Sequence, residues 1–356
     1  MSKDSNKEFF TRSLMHWHNH ANKREMPWKG EKNPYKIWLS EIILQQTRVE
    51  QGWEYYLRFI KKYPTVKELA AAPEDDVFKL WEGLGYYSRC KNLHFTARYI
   101  AGELQGKFPA QYDEIVALKG VGPYTASAIA SFAFNLPHAV VDGNVNRVLA
   151  RYFGIEKAID STDGKKDFAK LAQQLLDTKK PGLYNQAIMD FGATVCKPQL
   201  PLCGQCVLQA RCIAYKEAKV HELPVKEKKI VKKNRWFYFL VIEKEGYVFV
   251  RKREAKDIWQ NLYEFVLLEW PQQTGAAELL QTEEGQAVLP SAVKQLAVSK
   301  EYKQQLTHQT VHACFLHLQL TSRKEPQGYE KLSLQKIKAI AFPKLINDYL
   351  TDMGWK

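Results

Sequence analysis

Two carboxylates and four thiols carry the chemistry open to this chain. Glu41 lies in "WLSEIILQQT", residues 38–47, where a helix sets Ile37, Trp38, Leu44 and Gln45 beside it. Three of those four are apolar. A carboxylate on such a face loses water, which raises its pKa and lets it hold a proton near neutral pH. A proton that is held can be delivered. Asp142, in "VVDGNVNRVLARYF" (140–153), precedes a helix whose apolar positions are Val145, Val148, Leu149 and Phe153. An aspartate there caps the helix, and the positive end of the helix dipole is expected to keep it ionised with its pKa lowered. Two carboxylates pushed apart in this way make an acid and an anionic stabiliser. Such a pair can protonate a leaving group and support the oxocarbenium ion left behind, the logic of glycosidic bond cleavage. The plainer readings are a half-buried Glu whose tip reaches solvent and an ordinary helix cap.

Cys196, Cys203, Cys206 and Cys212 fall in one loop with the spacing C-x6-C-x2-C-x5-C. Four thiolates so close together suit a zinc ion or an iron–sulfur cubane, and spacing leaves the two open. Lys197 and Arg211 lie in the same loop and can offer cations to phosphates. Cys90 and Cys314 have no partner spacing and read as ordinary small residues. In "LKGVGPYTASAIA" (118–130) a short helix ends at Gly120 and Gly122 and a second begins at Pro123. Glycines allow the tight turn and let backbone N–H groups approach an anion, so the hairpin is expected to grip a DNA backbone without reading its sequence.

These residues need a scaffold, and 356 residues provide for two domains. From Pro34 to about Ile213 the apolar spacing is helical throughout. Residues 223–234, "LPVKEKKIVKKN", form a basic linker. After it "RWFYFLVIEKEGYVFVRK" reads as two strands turned at Glu245 and Gly246, "VHACFLHLQL" as another strand, and "AAELLQ" and "FPKLINDYL" as helices. The expected organisation is a mostly α domain over 1–222 and an α+β domain over 235–356. Lys and Arg number 52 against 39 Asp and Glu, a net charge of +13 that suits a polyanion: nucleic acid first, an anionic membrane surface second. There is no apolar run of about eighteen residues, and "MSKDSNKEFF" is too polar for a secretory signal. A cytoplasmic, nucleoid-associated protein is expected.

Taken together, "MPWKGEKNPYKIWLSEIILQQTRVE", "LWEGLGYYSR", "LKGVGPYTA", "VDGNVNRVLAR", "YNQAIMDFGATVC" and the four-cysteine loop resemble, in order over residues 26–212, the MutY-type adenine DNA glycosylases of the endonuclease III superfamily. The resemblance implies a helix-hairpin-helix glycosylase fold with a [4Fe-4S] cluster on the four cysteines, and a Nudix-like C-terminal domain. It implies removal of adenine opposite 8-oxoguanine in double-stranded DNA, or opposite guanine, by a monomer. By similarity Glu41 protonates the flipped adenine and Asp142 stabilises the sugar cation, either electrostatically or through a transient covalent bond. Tyr124 and Asn144 line the site, and Gln186 hydrogen-bonds adenine. Arg24, Gln45, Gln46 and Tyr86 surround the extruded base and the opened stack. Related enzymes that also nick the strand carry a lysine at the position of Tyr124; a phenol cannot form a Schiff base, so a monofunctional enzyme is expected. Lys29 stands where many relatives have arginine. In the second domain Thr307 and His308 match the hydroxyl and imidazole of the loop that recognises 8-oxoguanine, with Leu306 in place of its aromatic. A Nudix hydrolase reading lacks its glutamate-rich Mg²⁺ helix within 235–356, and the alternatives are a glycosylase of the same fold acting on another mismatch, such as thymine in G·T, and a cluster-bearing DNA-binding protein without catalysis.

Overall fold

The computed structural model describes residues 3–227, 231–288, 293–321 and 325–356. Along the chain run α1 (Lys3–His20), α2 (Pro34–Leu44), α3 (Val49–Lys62), α4 (Val66–Ala71), α5 (Glu74–Trp81), α6 (Tyr87–Gly102), α7 (Tyr112–Val116), α8 (Pro123–Phe134), α9 (Gly143–Phe153), α10 (Thr162–Leu175), α11 (Pro181–Thr194) and α12 (Ile213–Lys216). Then follow β1 (Lys233–Lys244), β2 (Tyr247–Lys252), β3 (Tyr263–Glu264), β4 (Val266–Trp270), α13 (Ala276–Gln281), α14 (Glu283–Val288), β5 (Val293–Val298), β6 (Tyr302–Gln305), β7 (Gln309–Leu320), β8 (Glu330–Ser333), α15 (Leu334–Ala339) and α16 (Lys344–Asp352). Among the described residues from 34 to 213 there is no strand.

The chain forms two compact units, Met1–Ala71 with Asn92–Lys229, and Ala72–Lys91 with Ile230–Lys356. The first unit is helical. Phe10, Leu14 and Trp17 of α1 meet Val148, Leu149 and Tyr152 of α9 and Tyr184, Ile188 and Phe191 of α11 in one buried core. Helix α2 starts cleanly because Asn33 caps it, accepting from Tyr35 N and Lys36 N, and Pro34 fills a first position that needs no N–H. It then buries Ile37, Trp38, Leu39, Ile42 and Ile43. At about 1.5–3 kcal/mol for each large side chain, this burial offsets what it costs to hold Glu41 among them. Its neighbour α8 carries Ala126, Ala128 and Ala130, all fully buried, which lets the two helices pack closely.

The second unit is built on a sheet in which β1 lies parallel to β7 and antiparallel to β4 and, at its end, to β2. The turn from β1 to β2 falls at Glu245 and Gly246, both left-handed (φ 54° and 78°). Its apolar face joins Tyr238, Leu240, Ile242, Val266 and Leu316. One element boundary differs from that read in the sequence. Strand β1 already begins at Lys233, inside the stretch read as linker, because main-chain pairing with Gln309 and Thr310 continues past the apolar run. Linker positions 228–230 lie outside the described residues. Residues 72–91 are helical, as read in the sequence, and by their contacts they pack with the second unit. Glu82 there accepts from Phe342 N (2.9 Å) and Lys356 Nζ (2.8 Å), Lys79 donates to the Ile340 carbonyl (2.9 Å), and Asp75 pairs with Lys252 (2.5 Å). Such pairings across long sequence separations leave no local pattern to read.

Candidate active site

A cavity of about 440 Å³ opens in the first unit, within the size range of small-ligand sites. Glu41, Tyr124, Asp142, Asn144, Gln186 and Arg24 all line it. Glu41 is 6% exposed. Burial pushes its pKa up to about 7; the Tyr124 hydroxyl donates a hydrogen bond that opposes the rise, and the charge of Asp142 adds to it. Tyr124 is itself held far above the ordinary phenol range by burial and by these two carboxyl groups, so it acts as a donor and stays protonated.

Asp142 caps α9 as expected. Its Oδ1 accepts from Val145 N (2.7 Å) and its Oδ2 from Asn144 Nδ2 (2.8 Å). The expected fall in its pKa does not occur: burial raises it, and the Val145 and Asn144 hydrogen bonds and the charge of Arg147 only reduce that rise. A dipole argument made from sequence sees the helix end but not the loss of water around it. Asn144 is held in turn by the buried Arg147, which donates to Asn144 Oδ1 (2.8 Å), the Gly192 carbonyl (2.7 Å) and the Cys196 carbonyl (2.7 Å). Gly192 is required here, since a Cβ on it would stand 2.7 Å from Asn144 Cβ.

One turn along α9, Arg151 donates to the Lys197 carbonyl (2.7 Å) and to Cys196 Sγ (3.5 Å). The four cysteines pack against the core of the first unit, and Cys196, Cys203, Cys206 and Cys212 lie within electrostatic reach of one another. Burial pushes Cys206 up to about 12 and raises Cys203 and Cys212, so these three thiols hold their protons. Metal or cluster binding would have to displace them, helped by the nearby guanidiniums.

The hairpin stands between α7 and α8. Gly120 is left-handed (φ 83°), and a Cβ on it would meet Asn92 Cβ at 2.7 Å. Gly122 caps α8 with open space around its Cα: a Cβ there meets nothing within 4 Å. Gln45 follows α2 and donates to Thr125 Oγ1 (3.3 Å). Next to it the exposed Gln46 takes a left-handed φ of 55°, and in the second unit the exposed Tyr86 takes one of 49°. Strain of this kind in non-glycine residues costs of the order of 1–3 kcal/mol and concentrates at functional positions. Tyr86 OH is hydrogen-bonded to Thr307 Oγ1. Thr307 and the exposed His308 sit in the short loop joining β6 to β7, closed by Leu306 N on the Gln309 carbonyl (2.8 Å).

Sequence reasoning missed Asp190 on α11. It is fully buried and accepts from Arg24 (3.0 Å), Gln186 (3.0 Å), Asn22 (2.8 Å) and Lys29 (3.2 Å). The signal was weaker than the one that marked Glu41, for the residues three and four positions away on the helix are Gln186, Ala187, Ala193 and Thr194, and only the adjacent Met189 and Phe191 are large and apolar.

Two buried carboxyl groups facing one cavity, with a glycine hairpin on the same helical unit, fit a helix-hairpin-helix DNA glycosylase. Comparison with known proteins agrees. Residues 39–176 match the HhH-GPD superfamily base excision DNA repair protein family, and residues 237–352 the NUDIX domain family. The adenine DNA glycosylase of Buchnera aphidicola subsp. Baizongia pistaciae is 34% identical over 312 residues, 85% of this chain and 84% of that one. That of Buchnera aphidicola subsp. Schizaphis graminum is 37% identical over 72% of this chain and 74% of its own. A thermostable thymine-DNA glycosylase superposes with a TM-score of 0.57 at 28% identity, covering 61% of this chain and all of that one. An endonuclease III–DNA complex gives 0.52 at 21% identity, also over 61% of this chain and 99% of that one, a likeness of fold alone. The chain belongs to the MutY-type adenine DNA glycosylases, hydrolases of N-glycosyl bonds in base excision repair, with a C-terminal NUDIX domain.

Proposed function

We propose that this glycosylase removes adenine paired with 8-oxoguanine, and adenine paired with guanine, after flipping the adenine into the Glu41 cavity. The buried Glu41, with its pKa near 7, carries this reading. At neutral pH a large share of the molecules hold the proton that adenine needs, at N7, to leave as a neutral base. Asp142 supports the sugar cation, with Asn144 and Val145 N keeping its two oxygens aimed, and water completes the hydrolysis. Tyr124 donates to Glu41 and provides no amine for strand cleavage. Gln186 and Arg24 contact the base, while Gln45 and Gln46 fill the opened stack. The open backbone at Gly122, beside Gly120, receives a phosphate. In the second unit Tyr86, Thr307 and His308 read the 8-oxoguanine. Its clustered carboxylates Asp257, Glu264 and Glu269 are taken by Arg235 and Arg253, which argues for binding rather than Mg²⁺-dependent hydrolysis.

Cys196, Cys203, Cys206 and Cys212 would hold a [4Fe-4S] cluster. Among the described residues no three His, Cys, Asp or Glu donors are gathered closely enough for one ion. Four cysteines in one loop of a MutY-type glycosylase support a cubane over a single zinc. When bound, the cluster joins the loop to the core, and Arg151 offers it positive charge. Among the described residues no helix is long and apolar enough to cross a membrane; we assign the protein to the cytoplasm and the nucleoid, acting as a monomer.

The test is a single-turnover reaction on a labelled duplex with one adenine opposite 8-oxoguanine, each time point split before and after hot alkali. Breaks only after alkali are expected. Breaks before alkali would overturn the monofunctional assignment, and no break in a bound, cluster-loaded complex would overturn the substrate assignment.

A further inference from the structure

Besides the two carboxylates given roles in the reaction, the first unit buries a third. Asp190 Oδ1 accepts from Arg24 and from Gln186 Nε2, and Oδ2 from Asn22 and Lys29. Its partners are braced among themselves. Lys29 Nζ donates to the Arg24 carbonyl at 2.6 Å, Arg24 N donates to Asn22 Oδ1 at 3.0 Å, and Asn22 Nδ2 also meets His18 Nδ1 at 3.0 Å. Arg24, Lys29, Gln186 and His18 all face the cavity. An ionised carboxylate accepts hydrogen bonds and donates none. It therefore selects which end of the Gln186 amide turns toward it: the NH2 group faces Asp190, and the carbonyl oxygen remains for the cavity.

We propose that Asp190 is a positioning residue that holds the Gln186 amide with its oxygen toward the extruded base. The site then accepts a hydrogen bond from an exocyclic amine at purine C6 and rejects a carbonyl there. This rests on the reading of Gln186 as a base contact given above. Adenine carries the amine; hypoxanthine, nearly the same in shape, carries the carbonyl.

The experiment measures single-turnover excision of adenine and of hypoxanthine, each opposite 8-oxoguanine, by the full-length, cluster-loaded enzyme and by Asp190→Asn. An amide at 190 can donate or accept, so Gln186 becomes free to turn. The adenine-to-hypoxanthine rate ratio should fall about tenfold, the size of effect expected when one discriminating hydrogen bond is lost. General damage to the fold would lower both rates and leave the ratio unchanged. An unchanged ratio in a folded Asp190→Asn enzyme overturns the proposal. A second pair of variants tests it even if Asp190→Asn folds poorly. Gln186→Glu opposes two carboxylates and should lose most of its adenine excision. Gln186→Glu with Asp190→Asn restores a donor facing an acceptor and keeps one carboxylate for Arg24 and Lys29, so it should regain at least about tenfold. A folded double variant no faster than Gln186→Glu also overturns the proposal. If wild type itself leaves adenine in place, the underlying substrate reading fails instead.

Discussion

The burial of Glu41 should be measurable as stability before any DNA is added. Its pKa lies near 7 in the folded chain against an ordinary 4.5. Below about pH 4.5 both folded and unfolded chains hold the proton, and the group contributes nothing. As pH rises from there the unfolded chain releases a proton that the folded chain keeps, so stability falls. The loss is complete above about pH 7. At ~1.4 kcal/mol for each tenfold difference in proton affinity it amounts to roughly 3 kcal/mol, undiminished by solvent screening because the group is buried. Glu41→Gln keeps the shape and removes the titration. The variant should match wild type near pH 3.5 and exceed it by about 3 kcal/mol at pH 8.5. Urea unfolding of both proteins at four or five pH values, without DNA, gives the difference, from which all other titrations cancel. A difference that is flat across pH, or that shrinks as pH rises, would refute the assignment of a raised pKa to this residue.

The same proton predicts that the excision rate falls as pH rises through about 7, approaching tenfold per pH unit, and that Glu41→Gln keeps its duplex binding while losing base release; single-turnover rates and a mobility-shift titration check the two halves. Gly120→Ala should lose at least about 1–2 kcal/mol of stability, because the residue is left-handed and its new Cβ meets Asn92, whereas Gly122→Ala should unfold with wild type yet bind DNA more weakly. Denaturation midpoints and duplex affinities of the two variants at one salt concentration separate these effects. Arg147→Met should destabilise by about 3 kcal/mol or more, since it leaves the Gly192 and Cys196 carbonyls and Asn144 Oδ1 without their donor, and it should slow excision further through Asn144. Unfolding and single-turnover rates measured on the same preparation would show whether both losses occur.

The elements were legible where a local pattern existed. Apolar spacing gave the helices from Pro34 onward, Gly120, Gly122 and Pro123 gave the hairpin, and Glu245 with Gly246 gave the turn between β1 and β2. Pairings with partners distant in sequence were not legible. Residues 72–91 read as a helical stretch, but nothing local showed that Lys79, Glu82 and Asp75 find their partners at Ile340, Phe342, Lys356 and Lys252. Charged side chains on a solvated helix face look alike whether or not they have a partner some 260 residues away.

The candidate site divides in the same way, and the three carboxylates show why. Glu41 was readable because the apolar residues three and four positions away on its own helix mark it for burial. Asp142 was half readable: the cap is local and was found, but the burial that raises its pKa has no local pattern, so the direction of its shift was missed. Asp190 was not read at all. One of its four donors, Gln186, lies a helical turn away on α11, while Asn22, Arg24 and Lys29 come from a segment more than 160 residues earlier. A buried anion without partners would be prohibitively unstable, and partners assembled from another part of the chain are invisible to periodicity. A carboxylate on an apolar helix face therefore signals, from sequence, only that something must serve it. For Glu41 that is a proton, and for Asp190 it is a cage of donors that leaves one face of Gln186 to the substrate.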